Sequence, residues 1–195
     1  KGRITTTNGT SVNGSNWKTV NFDEKKTVTC TFNHAIIEGN DNIISGIRSN
    51  DGTTFAGSNS SEGVIRNLIL DDIIISSDVN VGAFVQTNMG VIENSEVKGG
   101  SIICIGLADV CAGSIAGVNG DGENGGIIRN CLNYAIISSK GKYTGGMIGK
   151  VGVKGIVHDC INYGNVKSEG SYVGGVIGYS YVIVSNLTNY GNIVT

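Results

Sequence analysis

Short runs of β-branched and aliphatic residues recur along the chain, separated by clusters of Gly, Asn, Asp and Ser. Within the runs apolar and polar positions alternate, as in Gly-Ile-Ile-Arg-Asn at 126–130. A period of two predicts strands with one buried face, and the Gly and Asn clusters predict turns. No apolar period of 3.6 residues is sustained, and glycine is too frequent for helix interiors. The pattern therefore predicts an all-β protein built from short strands.

The strand pattern is a repeat. A unit of two or three apolar residues, one polar residue and Asn or Asp returns along the chain, with intervals of 27, 36, 29 and 27 residues between successive copies. Its last residue is Asn67, Asn94, Asn130, Asp159 and Asn186 in turn. A second, glycine-rich block recurs as well, for example Thr-Gly-Gly-Met-Ile-Gly at 144–149 and Val-Gly-Gly-Val-Ile-Gly at 173–178, and we call it the Gly block. A third block, Asn-Tyr-Gly or Asn-Tyr-Ala, appears in the last three copies and contains Tyr134, Tyr163 and Tyr190.

Repeats of this length made of short strands have two main solutions, a propeller or a parallel β-helix. A propeller blade needs four antiparallel strands and usually about 40 or more residues, so these copies are too short. We therefore predict a right-handed parallel β-helix, a solenoid of about five to six coils, because parallel crossovers are right-handed as a rule. Stacking would align the five Asn and Asp residues into a turn ladder bonded to neighbouring backbone or to each other.

Composition supports this fold. The 195 residues include 31 glycines and no proline. Internal rungs of a β-helix pair on both sides, so a proline would delete a ladder hydrogen bond in nearly every rung. A hydrophobic content of 39% with 15% charged residues excludes a disordered chain. The net charge of −2 gives no electrostatic case for nucleic acid, and no apolar run is long enough to span a bilayer.

The repeat does not cover the whole chain. Residues 1–42 depart from it and contain the only tryptophan, Trp17. A solenoid needs a cap because an open end rung presents unpaired backbone and apolar side chains. We interpret residues 1–42 as the N-terminal cap and first coil, and 43–195 as one continuous repeat domain. The chain stops inside a repeat, which predicts an uncapped C-terminal rung that continues into further repeats or stacks on another subunit.

The Gly-Met-Ile-Gly at 146–149 and Gly-Val-Ile-Gly at 175–178 resemble the GLUG-motif repeats, named for a glycine-leucine-apolar-glycine core. Both differ at the second position, Ser-Ile-Ala-Gly at 114–117 keeps only the end, and Ala-Phe-Val-Gln at 83–86 loses both glycines. GLUG repeats occur in bacterial cell-surface and adhesin-like proteins and in non-catalytic regions of surface IgA-cleaving metallopeptidases. The resemblance implies an extracellular surface β-helix. The peptidase zinc motif His-Glu-x-x-His is absent, and His34 and His158 stand alone.

Two features suggest binding sites. Stacked coils would align Tyr134, Tyr163 and Tyr190 into an aromatic row, which is either a platform for host or surface glycans or a set of stacked surface rings. The loop at 119–125 carries Asp121 and Glu123, whose oxygens could hold Ca²⁺, but it lacks EF-hand spacing, and a solvated loop is the favoured interpretation. We expect no other metal site and no cofactor.

Four of the five cysteines fall into two pairs, and Cys30 has no obvious partner. Cys131 and Cys160 share one repeat position, filled by Leu in other copies, and are predicted to be buried free thiols. The second copy is four residues longer than the others between its third strand and its Gly block, and the excess should bulge out as a loop with Cys104 and Cys111 near its base. A disulfide between these two and a pair of free thiols both stay open for an extracellular protein.

The function predicted from these features is structural or adhesive and not enzymatic. The chain would be a segment of an extracellular bacterial surface protein that associates end to end into a larger assembly or filament. A carbohydrate-binding β-helix that uses the tyrosine row is the alternative. A polysaccharide lyase is disfavoured because the carboxylates do not recur at a shared coil position.

Overall fold

The computed structural model describes residues 36–52 and 54–195, together with the backbone of three two-residue strands nearer the N-terminus. Most of the predicted cap, including Trp17, lies outside the described residues, as do Cys30 and His34. The boundary predicted at residue 42 therefore stays a prediction.

The described residues form strands and turns with no helix. The strands are β1 (Ile4–Thr5), β2 (Ser11–Val12), β3 (Thr31–Phe32), β4 (Ile36–Ser45), β5 (Arg48–Ser49), β6 (Ala56–Asn59), β7 (Val64–Asp71), β8 (Ile73–Ser77), β9 (Val85–Asn88), β10 (Val91–Glu93), β11 (Glu96–Val97), β12 (Gly100–Cys104), β13 (Cys111–Ala112), β14 (Ala116–Asn119), β15 (Ile127–Arg129), β16 (Leu132–Asn133), β17 (Ile136–Ser139), β18 (Tyr143–Gly145), β19 (Ile148–Val151), β20 (Ile156–Asn162), β21 (Val166–Ser168), β22 (Tyr172–Gly174), β23 (Ile177–Ser180), β24 (Ser185–Asn189) and β25 (Ile193–Val194).

Three long parallel sheets run along the stack, and each takes a strand from successive turns of the chain. One contains β4, β7, β10, β11, β15, β16, β20 and β24, the second runs β5-β8-β12-β17-β21-β25, and the third runs β3-β6-β9-β14-β19-β23. A shorter parallel sheet, β13-β18-β22, joins them in the later turns. The result is a β-solenoid of about five turns, which confirms the predicted all-β parallel helix.

The register places equivalent residues of the repeat side by side. In the first sheet Ile92 of β10 pairs with Ile65 of β7 and with Ile128 of β15, and all three side chains are fully buried. The next residue in each strand points outward, so Glu93 lies between Arg66 and Arg129. Alternation within a strand thus becomes an apolar column inside the solenoid and a row of charges outside it.

The two glycines of the Gly-x-x-Gly core are required by close packing. A Cβ on Gly146 would overlap the carbonyl oxygen of Gly175 in the next turn and the buried amide of Asn162. A Cβ on Gly149 would approach the backbone nitrogen of Ala112 to 2.6 Å, closer than real Cβ contacts allow. The two glycines therefore lie where a neighbouring turn leaves no room for a side chain. Gly146 faces the turn that follows it, and Gly149 faces β13 in the turn that precedes it.

Candidate functional sites

The Asn and Asp residues that end each repeat unit occupy one corner of the solenoid. All five have a left-handed backbone, with φ of 52°, 49°, 52°, 56° and 51° at Asn67, Asn94, Asn130, Asp159 and Asn186. Asn and Asp adopt this conformation more readily than other non-glycine residues. The side chains also join turns, since Asn130 Nδ2 donates to Asn94 Oδ1 at 3.2 Å and Asn186 Nδ2 donates to Asp159 Oδ1 at 2.9 Å.

Two further asparagine ladders, neither of them predicted from the sequence, lie inside the solenoid. In the first, Asn59 Nδ2 donates to Asn88 Oδ1 at 2.9 Å, and Asn88 Nδ2 donates to Asn119 Oδ1 at 2.8 Å. These three side chains are fully buried. Each Nδ2 also reaches a backbone carbonyl, so the ladder satisfies polar groups that the turns would otherwise bury unpaired.

The second internal ladder belongs to the Asn-Tyr block. Asn133 Nδ2 donates to Asn162 Oδ1 at 2.6 Å, and Asn162 Nδ2 donates to Asn189 Oδ1 at 2.8 Å. The recurrence of Asn before Tyr at 133, 162 and 189 is a signal that could have revealed this ladder. At Asn189 the amide donates only to the carbonyl of Gly191, and the residue is exposed. The ladder therefore ends in an amide that lacks the cross-turn acceptor present in the two turns before it.

The predicted tyrosine row is formed, and its geometry limits what it can bind. The rings of Tyr134 and Tyr163 stack with centroids 4.7 Å apart and 4° between planes, and those of Tyr163 and Tyr190 at 5.1 Å and 14°. Both faces of Tyr163 are therefore covered by its neighbours. Burial raises the pKa of the Tyr134 hydroxyl, as do the nearby Tyr163 and Glu96. A sugar could stack on a free face only at the two ends of the row.

A second aromatic group, not predicted from the sequence, lies on and beside the outer face of β18 and β22. Tyr143 and Tyr172 stack at 5.1 Å, Tyr179 meets Tyr172 edge-on at 5.1 Å, and Tyr181 meets Tyr179 edge-on at 5.0 Å. The Lys150 ammonium lies 5.4 Å from the Tyr143 ring centroid and 5.3 Å from that of Tyr181. We refer to these five residues as the tyrosine–lysine cluster.

The extra residues of the second copy form the loop at 105–110, between β12 and β13. The loop is tied to the next turn by an ion pair between Asp109 Oδ1 and Lys142 Nζ at 2.5 Å. This contact lowers the pKa of the Asp109 carboxyl and raises that of the Lys142 ammonium. A groove of about 320 Å³ opens between this loop and the two turns that follow it.

The cysteine pairs differ in their surroundings. Cys131 and Cys160 are free and fully buried, as predicted, in a column that also contains Leu187. Cys104 and Cys111 are also free and buried at the base of the loop. Desolvation raises the pKa of the Cys104 thiol and raises that of Cys111 to about 11. The alternative of a Cys104–Cys111 disulfide in an oxidising environment stays a prediction.

Asp121 and Glu123 lie on an exposed tight turn. The turn is closed by two backbone hydrogen bonds between Asp121 and Asn124, at 3.0 and 2.9 Å. Across the described ranges, no group of three or more His, Cys, Asp or Glu side chains is arranged to hold a metal ion. Among the described residues, the two carboxylates of this turn are therefore not joined by a third His, Cys, Asp or Glu in an arrangement that could hold a metal ion.

His158 occupies the outward row of the first sheet, in register with Arg129. Its Nδ1 lies 2.6 Å from Oδ2 of the neighbouring Asp159. The contact with His158 lowers the pKa of the Asp159 carboxyl, and the hydrogen bond from Asn186 adds to the effect. The pair is thus part of the corner ladder.

The last turn exposes positions that are buried in the turns directly beneath it. Val166 is 1% exposed, whereas its partner Ile193 in β25 is 45% exposed. Cys160 is fully buried, and its partner Leu187 is only half-buried. The strands β22, β23 and β25 end their sheets and pair on one side only. The C-terminal end of the described stack is an open, partly apolar rung, which we call the end rung.

Comparison with known proteins supports the fold. No family model matches the chain, and no curated protein matches it. Among solved structures it is similar to a Bacteroides ovatus protein provisionally named an immunoglobulin A1 protease, known from a crystal structure at 1.30 Å. The two are 26% identical with a TM-score of 0.66, over 82% of this chain and 52% of the other. This chain therefore spans about half the length of that protein.

The structure contains no helix long and apolar enough to cross a membrane within the part of the chain that it describes.

Proposed function

We propose that this chain is a structural or adhesive β-solenoid segment of an extracellular bacterial surface protein, and that it associates through its end rung. The open end rung is the observation that carries the proposal. Apolar positions such as Ile193 and Leu187 would be covered by one more rung, and the free edges of β23 and β25 would gain partners. The rung comes either from further repeats or from a second subunit.

The surface location draws on two observations. The Gly-x-x-Gly repeats resemble those of bacterial cell-surface proteins, and the similar solved structure comes from a Bacteroides protein provisionally named a protease. Since the match covers about half of that protein, any protease activity there gives no reason to assign one to this segment.

We further propose that the segment is not an enzyme. Several carboxylates that the structure describes are held in ion pairs on the outer surface, with Glu38 to Arg66 at 2.6 Å and Glu93 to Arg129 at 2.5 Å. These carboxylates contact arginines and do not line the groove beside the loop at 105–110. Of the two carboxylates that do line that groove, Asp109 is itself paired with Lys142. A glycoside-cleaving site of the usual kind uses two carboxyl groups that both face the substrate. The exposed charge row instead fits a solvated flank of the stack.

End-rung association is tested by sedimentation velocity over a wide range of protein concentration. We expect the unmodified chain to self-associate and Ile193→Lys to shift it to monomer, because the ammonium would be buried in the interface. Ile74→Lys is the matched control, since Ile74 is 43% exposed on an outer face in the middle of the stack. A chain that is monomeric at every concentration, or that loses association equally in both variants, would contradict the proposal.

Electron microscopy distinguishes the forms of assembly. Two end rungs that meet across a two-fold axis give a closed dimer, whereas stacking of the end rung on the opposite end of another subunit gives an open filament.

A further inference from the structure

The groove beside the loop at 105–110 is built by three successive turns. Its lining includes Leu107, Asp109, Lys140, Lys142, Glu169 and Ser171. Leu107 is 76% exposed at the rim, and the Asp109–Lys142 ion pair fixes the loop against the next turn. The four extra residues of the loop at 105–110 thus form one side of the groove.

The groove and its surroundings carry two lysines that form no ion pair among the described residues. Among the residues that the structure describes, neither Lys140 nor Lys150 has a carboxylate within 4.0 Å. Lys150 is instead held between the rings of Tyr143 and Tyr181. A cation–π contact positions the ammonium without cancelling its charge, so the positive charge stays available to an anion.

The tyrosine–lysine cluster continues the groove along the surface. Lys142 lines the groove, and its ammonium lies 5.2 Å from the centroid of the Tyr143 ring, so the two regions share a border. Tyr172 and Tyr181 are exposed and offer phenol hydroxyls and ring surface. Asp109 and Glu169 add carboxylate oxygens that can accept hydrogen bonds from hydroxyl groups.

This combination matches one class of ligand. Ammonium groups recognise a carboxylate, carboxylate oxygens recognise hydroxyls, and tyrosines pack on the apolar C–H surface of a sugar ring. We propose that the groove and the tyrosine–lysine cluster together bind an acidic oligosaccharide, one whose sugar units carry carboxylate groups, as uronic and sialic acids do. The groove volume of about 320 Å³ lies at the lower end of the range of small-ligand sites, about 300–1,000 Å³.

The mixed charge of the lining argues for this ligand over a denser polyanion. Asp109 and Glu169 lie among the lysines and would repel a continuous run of phosphates. A sugar chain with spaced carboxylates places its hydroxyls against those same side chains. The site is separate from the predicted row of Tyr134, Tyr163 and Tyr190, in which the central ring has no free face.

Isothermal titration calorimetry tests the proposal with two pairs of probes. Trigalacturonate is compared with its methyl ester, and sialyllactose with the methyl ester of its sialic acid carboxyl, so that each pair differs mainly in the carboxylate charge. We expect at least one acid to bind about tenfold more tightly than its neutral partner, with weaker binding at high salt. The pair that responds identifies the uronic or the sialic class.

Substitutions locate the site. Lys150→Met and Lys140→Met are each expected to weaken binding about fivefold or more, whereas the exposed Lys98 beside the other tyrosine row serves as the matched control in Lys98→Met. If one groove variant fails to fold, the other variant together with the salt dependence decides. Absence of binding by both acids at millimolar concentration, equal binding of acid and neutral probes, or equal loss in Lys98→Met would overturn the proposal.

The test is independent of self-association. It is repeated on the Ile193→Lys variant, whose substitution lies on the end rung and outside the groove lining. Unchanged sugar binding by that variant is the expected result. Loss of binding with the change in assembly would show that the groove is not sufficient for binding, and would overturn the proposal without touching the end-rung assignment.

Discussion

Replacement of Asn88 by Ala tests whether the internal asparagine ladder holds the turns together. Asn88 Nδ2 is the hydrogen-bond donor to Asn119 Oδ1 at 2.8 Å, and its own oxygen accepts from Asn59 Nδ2 at 2.9 Å. Its removal leaves Asn119 Oδ1 buried without that donor. Asn59 Nδ2 and the carbonyl of Gly90 keep other partners, at 3.3 and 2.8 Å respectively.

The expected loss of stability follows from these hydrogen bonds. An orphaned buried acceptor costs about 1–3 kcal/mol, and the net loss of the remaining hydrogen bonds adds about 1 kcal/mol. We therefore expect Asn88→Ala to lower the free energy of unfolding by about 2–4 kcal/mol, which corresponds to a fall in Tm of about 6–12 °C for a chain of this size. Urea titration followed by far-UV circular dichroism measures the change.

Two further variants sharpen this test. Asn50 is exposed, and Asn50→Ala should change the free energy of unfolding by no more than about 0.5 kcal/mol. In Asn88→Asp, a carboxylate would face Asn119 Oδ1 in the core, so its folded pKa should be raised above the unfolded value of about 3.9. The protonated acid can donate to Asn119, so the destabilisation relative to the unmodified chain should shrink as pH falls through the raised pKa and return as pH rises. An Asn88→Ala variant as stable as Asn50→Ala would refute the reasoning.

Three other outcomes follow from the same geometry. Gly146→Ala should lower the free energy of unfolding by about 1–3 kcal/mol through overpacking, whereas Gly99→Ala, where a Cβ meets only a side-chain oxygen at 3.2 Å, should cost less; equal losses in thermal melts would contradict this. Asn130→Ala should lower the free energy of unfolding by about 1–2 kcal/mol, because alanine is strained at a left-handed φ. Asn130→Gly should be more stable than Asn130→Ala, since glycine adopts this φ without strain, and a Gly variant no more stable than the Ala variant would count against backbone strain as the cause. NMR titration should give Asp159 a pKa below its ordinary value, and this pKa should rise in His158→Ala. Because a lowered pKa stabilises the folded state above the unfolded pKa, this contribution to stability should fade as pH falls through the folded pKa. An unchanged Asp159 pKa in His158→Ala would exclude the histidine as the cause.

Local sequence predicted the elements of this fold well. Alternation defined strands such as β15 and β20, and the Asn or Asp after each unit marked the corner that needs a positive φ. The shared position of Cys131 and Cys160 identified an inward slot. These predictions hold because side-chain direction in a strand and backbone preference in a turn depend on residues next to one another in the chain.

The candidate sites were less accessible from sequence. Asn119 belongs to a predicted loop and Asn88 carries no prediction. A buried polar side chain is unfavourable unless partners in other turns satisfy it, and the local pattern does not reveal such partners. The stacking of Tyr143 on Tyr172 and the approach of Lys150 join residues of separate strands. The length of the loop at 105–110 was visible in the sequence, but the groove was not, because its other wall comes from the two turns that follow.

The sequence by itself thus determined the repeat, the strand class and the parallel solenoid. A chain of 195 residues with 31 glycines and no proline supplies continuous strands and close-packed corners. The tertiary structure alone decided which polar groups are satisfied inside the stack, which aromatic faces stay free and where a groove opens. The reason is physical: strand and turn preferences are local, whereas these features depend on the register between turns about 30 residues apart, and register brings together side chains that no local pattern links.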